Sequence, residues 1–195
     1  MNYYVIQFCN LIIKIKYSFT IFYFYRYNRE HFWMDIRVAM PNNLYDIPRW
    51  HKDGNYFSHD INETNTSKFL TVLKGPGTLL IKSTKRVNEI YNKHLEQERS
   101  ELTPESSMEE CNKVANKYRH ILANKLSKEP VVQLKNNQAL IFFTGTTKKG
   151  VPIEEMNMDK GALHSEPKMD SPRMFISILP STEENIMGLK KKWNL

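Results

Sequence analysis

Residues 83–130 differ in character from the chain on either side, and this difference constrains the fold more than any other feature. The block is charged and rich in helix formers, and apolar residues such as Val87 and Tyr91 recur in it at helical spacing. Its internal break, "LTPESSMEE", offers Ser106 or Ser107 as an N-cap, with glutamates in the first turn that follows. The sequence therefore predicts a helical hairpin inserted into the chain.

Short segments with β-type composition flank this block on both sides. The predicted strands fall within residues 32–40, 67–81, 131–145, 161–167 and 173–180. Gly75-Pro76-Gly77 divides the second segment into two strands, because Pro76 cannot donate to a ladder and glycine admits positive φ. Asn136-Asn137 is the predicted turn of the third segment, and Pro180 is expected to end the last. Many short strands with one helical excursion favour a mainly β, α+β chain folded as a jelly-roll barrel.

The length of 195 residues and the 41% hydrophobic content suit one domain with a real core. We expect an N-terminal apolar segment packed on the barrel (1–31), the jelly-roll domain with its insert (32–180) and a basic C-terminal tail (181–195). Cys9 and Cys111 are too few for a disulfide scaffold or a four-thiolate zinc site. Such sparse cysteine fits a reducing, cytoplasmic compartment.

The N-terminal segment 3–27 is apolar and aromatic, which raises the question of a membrane anchor. Lys14 and Lys16 lie in its middle, where charge is most costly for a spanning helix. A basic start and a small-residue cleavage site, the marks of a removable signal, are not seen. β-branched and aromatic residues dominate, so strands or a packed helix are expected, with membrane association as the alternative.

The chain carries a formal charge of +7 and has a pI of about 9.3. This balance permits contact with phosphate backbones or an anionic membrane surface without requiring either. The basic residues are scattered, apart from Lys148-Lys149 and the lysine run 190–192, and a short terminal run is usually solvated. A nucleic-acid partner is therefore not the expectation.

The stretch "RWHKDGNYF" places His51 two residues before Asp53. In an extended chain, residues two apart point to the same face, so imidazole and carboxylate would converge on one point, as two ligands of a metal must. A polar turn between two strands is the alternative, since such tripeptides are common. Trp50, Tyr56 and Phe57 flank the pair, either as walls of a pocket or as ordinary core.

A third ligand comes from "ALHSEP", late in the chain. His164 precedes the last predicted strand, and in a barrel this late segment can return beside the early one. His94 and His120, by contrast, fall in the helical block and are expected to be surface or helix-packing residues. His51, Asp53 and His164 would then form the two-histidine, one-carboxylate triad that binds non-haem Fe(II).

Arg173 follows His164 by nine residues and opens an otherwise apolar strand. A guanidinium in that position would be costly unless it met a carboxylate. The alternative is an edge arginine that reaches solvent or pairs with Asp170.

Together, H-x-D, a distal histidine and an arginine about ten residues later resemble the layout of the Fe(II)/2-oxoglutarate-dependent dioxygenases. "RWHKDGNYF" and "HSEPKMDSPR" look most like the phytanoyl-CoA dioxygenase branch, and the chain is also similar to a family of small cupin-like proteins. The resemblance covers residues 32–180 outside the insert and implies a double-stranded β-helix. "RMFISILP" lacks the second arginine of the relatives that demethylate nucleic acids.

The resemblance implies that Fe(II) is held by His51, Asp53 and His164, and that Arg173 binds the distal carboxylate of 2-oxoglutarate. The substrate would be a small molecule or a protein side chain, and the reaction would convert 2-oxoglutarate to succinate. The alternative is a non-catalytic, cupin-like binding or structural protein, associated with a membrane if residues 3–27 form an anchor. The insert would be a lid or a partner surface.

Overall fold

The computed structural model describes residues 31–44, 46–54, 67–135, 138–144 and 161–194, which form a mixed α and β structure. In chain order its elements are β1 (His31–Ala39), β2 (Ser67–Lys74), β3 (Leu79–Ile81), α1 (Lys85–Ser100), α2 (Met108–Lys125), β4 (Val131–Gln133), β5 (Ala139–Phe143), β6 (Leu163–Ser165), β7 (Arg173–Ser181) and α3 (Glu183–Lys192). The expected helical hairpin and the predicted strands that flank it are confirmed within these residues. The segment 3–27 and the anchor hypothesis lie outside them.

The strands form two antiparallel sheets, with the orders β1-β7-β2-β5 and β4-β3-β6. The segment around His51 joins the second sheet through an antiparallel bridge to His164 in β6. The pairings are nested along the chain: β1 pairs with β7, the His51 segment with β6, β2 with β5, and β3 with β4. This nesting brings an early histidine and a late histidine side by side.

Each helix of the hairpin begins at a polar N-cap residue. Thr84 accepts a hydrogen bond from the Val87 amide at the start of α1, and Ser107 forms a capping box with Glu110 at the start of α2. Ser107, rather than Ser106, is therefore the N-cap. The buried faces of both helices pack against the second sheet in one apolar cluster, which consists of Trp50, Ile81, Val87, Tyr91, Leu122, Leu126 and Leu163.

Three features differ from the sequence expectations. β4 and β5 do not form one hairpin, because β4 pairs with β3 and β5 with β2 in the other sheet; Asn136-Asn137 lies outside the described residues. β7 continues through Pro180, which lies beyond Ile178, the last residue that pairs with β2. The segment expected to be a basic C-terminal tail forms a helix capped by Thr182, and its buried Leu189 packs against Leu179. Within the described residues, no helix is both long and apolar enough to cross a membrane.

The turn between β2 and β3 lies against the chain just before Arg173. Gly75 has a φ of +87°, and a Cβ built on it would meet the Pro172 carbonyl oxygen at 2.4 Å. A Cβ on Gly77 would lie 1.7 Å from the Leu134 carbonyl oxygen. Both glycines are therefore required where the two sheets meet.

Replacing Gly75 with alanine is expected to lower the free energy of unfolding by about 3 kcal/mol, combining left-handed strain with a backbone clash. Gly188→Ala, in the interior of α3, is the matched control and should leave stability unchanged or raise it by about 1 kcal/mol. Urea unfolding of both variants measures the difference. Equal stability of the Gly75 variant and the parent protein would contradict the close approach at this turn.

Candidate metal centre

The two sequence-predicted histidines meet across the edge of the second sheet. The His51 amide donates to the His164 carbonyl, and the His164 amide donates to the His51 carbonyl, each at 2.9 Å. Such a hydrogen-bonded antiparallel pair places both side chains on the same face. The imidazole centroids consequently lie 4.3 Å apart.

Asp53 completes a compact group with them. Its Oδ1 lies 3.8 Å from His51 Nε2, and its Oδ2 lies 3.7 Å from His164 Nε2. One ligand atom from each of the three residues lies within 4.8 Å of the others. Two atoms that each bind one ion at about 2.1 Å lie at most about 4.2 Å apart, so small side-chain movements would close this group around an ion.

Both imidazoles are held in the same tautomer by the backbone. His51 Nδ1 lies 2.8 Å from the Arg49 carbonyl, and His164 Nδ1 lies 2.9 Å from the Ala162 carbonyl. A carbonyl oxygen can only accept, so each Nδ1 carries the proton and each Nε2 keeps its lone pair. Metal-binding histidines are oriented by this kind of outer hydrogen bond.

The protonation states of the buried ligands also suit a metal. Burial, and then the neighbouring His51, lowers the pKa of His164 to about 4, so its imidazole is neutral at pH 7. Burial alone would raise the pKa of Asp53, but Lys68 and the two imidazoles together hold that pKa below its usual value. A neutral imidazole at His164 and an ionised carboxylate at Asp53 are forms that coordinate metals.

Lys68, at the start of β2, belongs to this centre although its sequence context gave no sign of it. Its Nζ lies 2.7 Å from Asp53 Oδ2, and both side chains are buried. Coordination of a metal through Oδ1 would leave this ion pair intact, so Lys68 can fix the carboxylate as a single-oxygen ligand.

Arg173 is buried, with only 3% of its surface exposed, so it does not reach solvent from a sheet edge. Its guanidinium donates to the Pro76 carbonyl at 3.0 Å and to Thr78 Oγ1 at 2.6 Å, and it stacks on Phe175. The alternative partner, Asp170, pairs instead with Lys168. The contacts to Pro76, Thr78 and Phe175 orient the guanidinium without neutralising its charge.

The three candidate ligands and Arg173 line one cavity of about 200 Å³. Its ionisable lining, besides the histidines, consists of four cationic and two anionic side chains: Arg37, Arg49, Lys68 and Arg173, with Asp53 and Glu166. Arg37 is paired with Asp35 and Arg49 with Glu166. Cationic side chains therefore outnumber anionic ones around the candidate metal position, which favours an anionic occupant.

The helical hairpin holds the segment that carries His51 and Asp53. The Lys52 amide donates to the Tyr91 hydroxyl at 3.1 Å, and Lys52 Nζ donates to Asn88 Oδ1 at 2.8 Å, both on α1. Arg119 on α2 donates through Nε to the Ile47 carbonyl at 3.0 Å. The insert thus positions two of the three candidate ligands, a role that its composition could not indicate.

Of the three aromatic residues that flank the His51–Asp53 pair in the sequence, the structure describes Trp50. Trp50 is buried in the apolar cluster of the hairpin and also lines a second, larger cavity, so it belongs to both core and pocket wall. Tyr56 and Phe57 lie outside the described residues. His94 is buried against the helix pair and His120 is exposed, in line with the expected helix-packing and surface positions.

Comparison with known proteins identified no relative: no family model matches the chain, and neither a curated protein nor a solved structure matches it.

Proposed function

We propose that this protein is a non-haem Fe(II)- and 2-oxoglutarate-dependent oxygenase with a double-stranded β-helix fold. The observation that carries the proposal is the convergence of His51, Asp53 and His164 in one cavity with the buried Arg173.

The nested pairing supports the fold part of the proposal. If the His51 segment is counted as a strand, the first strand pairs with the last, the second with the seventh, the third with the sixth and the fourth with the fifth. A long hairpin wound into two sheets produces this order, which is the arrangement of a jelly roll. The helical hairpin occupies the connection at the innermost turn of this winding.

The donor set supports iron among the common metals. Two imidazole nitrogens and one carboxylate oxygen on one side of an ion leave three positions open, which is the arrangement that non-haem Fe(II) oxygenases use. A structural zinc site would instead be closed by four protein ligands, whereas a catalytic zinc site can also use two histidines and a carboxylate, so the choice of iron rests on the donor set together with the cationic cavity. The described residues supply three ligands at this point.

The cationic cavity supports 2-oxoglutarate as the cosubstrate. This dianion would place its keto-acid end at the metal and its distal carboxylate at Arg173, which Thr78 and the Pro76 carbonyl hold in place. Lys68 is paired with Asp53, and this ion pair keeps the ligand carboxylate oriented beside the cosubstrate. A fixed guanidinium matches a carboxylate in both charge and planar geometry.

Bound Fe(II) and 2-oxoglutarate would supply oxidative chemistry in which 2-oxoglutarate, O₂ and a substrate C–H give succinate, CO₂ and a C–OH product. The protein's own contribution is positioning: the backbone carbonyls set the imidazole tautomers, Lys68 sets the carboxylate, and Arg173 sets the cosubstrate. The substrate in this proposal is a small molecule or a protein side chain, and the expected cytoplasmic setting would keep iron reduced.

The proposal predicts slow formation of succinate when purified protein is supplied with Fe(II), 2-oxoglutarate, O₂ and ascorbate, which takes the place of the substrate as reductant. His51→Ala is expected to lower the rate to that of iron alone, because it removes one of the three metal ligands. The variant should still fold, because the side chain of His51 is partly exposed and is not part of the core. His120→Ala, on the exposed face of α2, is the control and should keep the full rate.

Equal succinate formation by the parent protein and by His51→Ala would overturn the oxygenase proposal. It would favour the alternative, a non-catalytic binding or structural protein in which Lys68 alone neutralises Asp53.

A further inference from the structure

A second cavity, of about 590 Å³, lies between the helical hairpin and the segment 44–51. It meets the smaller cavity, which contains the candidate metal ligands, at Arg49 and His51, and these two residues line both cavities. Its volume falls in the range of sites for small ligands or single side chains. A ligand bound there would therefore lie next to the candidate metal ligand His51.

One wall of this cavity is apolar and is formed by both helices of the hairpin and by the segment that carries His51. Trp50, Tyr91, Leu95 and Leu122 contribute to it. From Tyr91 to Glu98 helix α1 rises by about 10 Å, so the wall is long enough to cover an extended chain of several methylenes. The wall favours a ligand with an apolar stem.

Along the same helix, two hydrogen-bond acceptors face the cavity. His94 is 4% exposed, and among the described residues its Nδ1 has no hydrogen-bond partner. Its Nε2 lies 3.7 Å from the Glu98 carboxylate, which is beyond hydrogen-bonding distance, and a neutral imidazole keeps one acceptor nitrogen in either tautomer. Burial and the nearby Lys125 lower the pKa of His94 to about 4, which keeps the ring neutral at pH 7.

Glu98 adds negative charge to this acceptor pair. Its carboxylate is partly buried, and burial raises its pKa. Two arginines also line the cavity: Arg49 pairs with Glu166, and Arg119 donates to the Ile47 carbonyl. Acceptors next to a carboxylate favour a ligand head that carries both donors and positive charge.

We propose that this cavity binds an alkylammonium group, the cationic head of a lysine side chain or of a small diamine, with its head at Glu98 and His94 and its stem along Tyr91 and Leu95. Binding of this group rests only on the cavity. Its assignment as the substrate of the oxygenase, with the stem directed towards His51, rests on the proposed function.

The test measures binding to the full-length protein by calorimetry, without added iron. The probes are Nα-acetyl-lysine methylamide, 1,5-diaminopentane, the uncharged Nα-acetyl-norleucine methylamide and hexanoate. We expect the two cations to bind and the uncharged and anionic probes to bind at least about 10-fold more weakly, because a charge-assisted hydrogen bond is lost. The ratio between the two cations distinguishes a lysine side chain from a free diamine.

Glu98→Gln should weaken binding of the cations by about 10-fold or more, because it keeps the shape of the side chain and removes its charge. Glu96→Gln, the same substitution on the exposed face of the same helix, should leave binding unchanged. A shift of the His94 Nδ1 resonance on addition of the lysine probe would locate the head group.

Preference for norleucine or hexanoate, equal binding by the Glu98 variant, or no binding of any cation would overturn the inference. The succinate assay is a separate test. Cation binding without any iron-dependent turnover would support the alkylammonium site and contradict the oxygenase proposal. Succinate formation that no cation stimulates would support the oxygenase proposal and contradict the assignment of the alkylammonium group as its substrate.

Discussion

Replacing His164 with alanine is expected to weaken Co(II) binding, used as a stable probe of the proposed Fe(II) site, by more than about 100-fold. The outer partners of a metal ligand are alone worth about 10- to 100-fold in affinity, so loss of the ligand itself should exceed that range. His164 provides one of the three donors and carries the hydrogen bond to Ala162 that fixes its tautomer. The visible absorption of bound Co(II), titrated at fixed pH, measures the affinity.

Thermal unfolding gives a second measure of the same site. At a Co(II) concentration about 100 times Kd, binding should stabilise the parent protein by about 2.7 kcal/mol, and the His164 variant should show no such increase. Because His164 is buried against Phe142, its removal could also lower the stability of the metal-free fold. Asp53→Asn avoids this difficulty, since it keeps the volume of the side chain and removes only its charge.

His120→Ala, on the exposed face of α2, is the matched control and should bind Co(II) as the parent protein does. Undiminished Co(II) binding by both the His164 and the Asp53 variants would show that these residues do not hold the metal. The Lys68–Asp53 ion pair would then be a structural contact only.

The sequence was informative about this centre wherever the chemistry was local. The H-x-D spacing placed His51 and Asp53 on one face, and the position of His164 before the last strand placed it late in the winding. Their meeting depended on nested strand pairing, which short strands and turn residues indicate only in general terms. The cross-strand bridge between His51 and His164 turns that general pattern into a specific contact.

What the sequence could not supply came from tertiary contacts between distant segments. Lys68 stands 15 residues beyond Asp53, and nothing in "SKFL" distinguishes a lysine that binds a buried carboxylate from one that reaches solvent. The turn residues Pro76 and Thr78 hold Arg173 across 97 and 95 residues. The roles of the helical insert depend likewise on its contacts to the segment 44–52 rather than on its composition.

Substitution of Arg173 by methionine is expected to weaken binding of 2-oxoglutarate by about 100-fold in the Co(II)-loaded protein. A hydrogen bond to a charged group contributes about 1.5–3 kcal/mol, and each 1.4 kcal/mol changes an affinity about tenfold. Arg173 is buried with its guanidinium oriented by Thr78 and Pro76, so a bound carboxylate would find the cation already in place. Changes in the Co(II) spectrum during titration with 2-oxoglutarate measure the effect.

Because Arg173 also ties the turn at residues 75–78 to β7, loss of the guanidinium could weaken the fold as well as the cosubstrate site. Comparison with 2-oxobutyrate separates the two effects, since this keto acid has the same metal-binding end and no distal carboxylate. The parent protein should prefer 2-oxoglutarate by about 100-fold, and Arg173→Met should bind the two acids almost equally. Thr78→Val, which removes one contact to the guanidinium and keeps its charge, should retain most of the preference. A preference for 2-oxoglutarate that survives in Arg173→Met would mean that another cation of the cavity, with Lys68 the first candidate, receives the distal carboxylate.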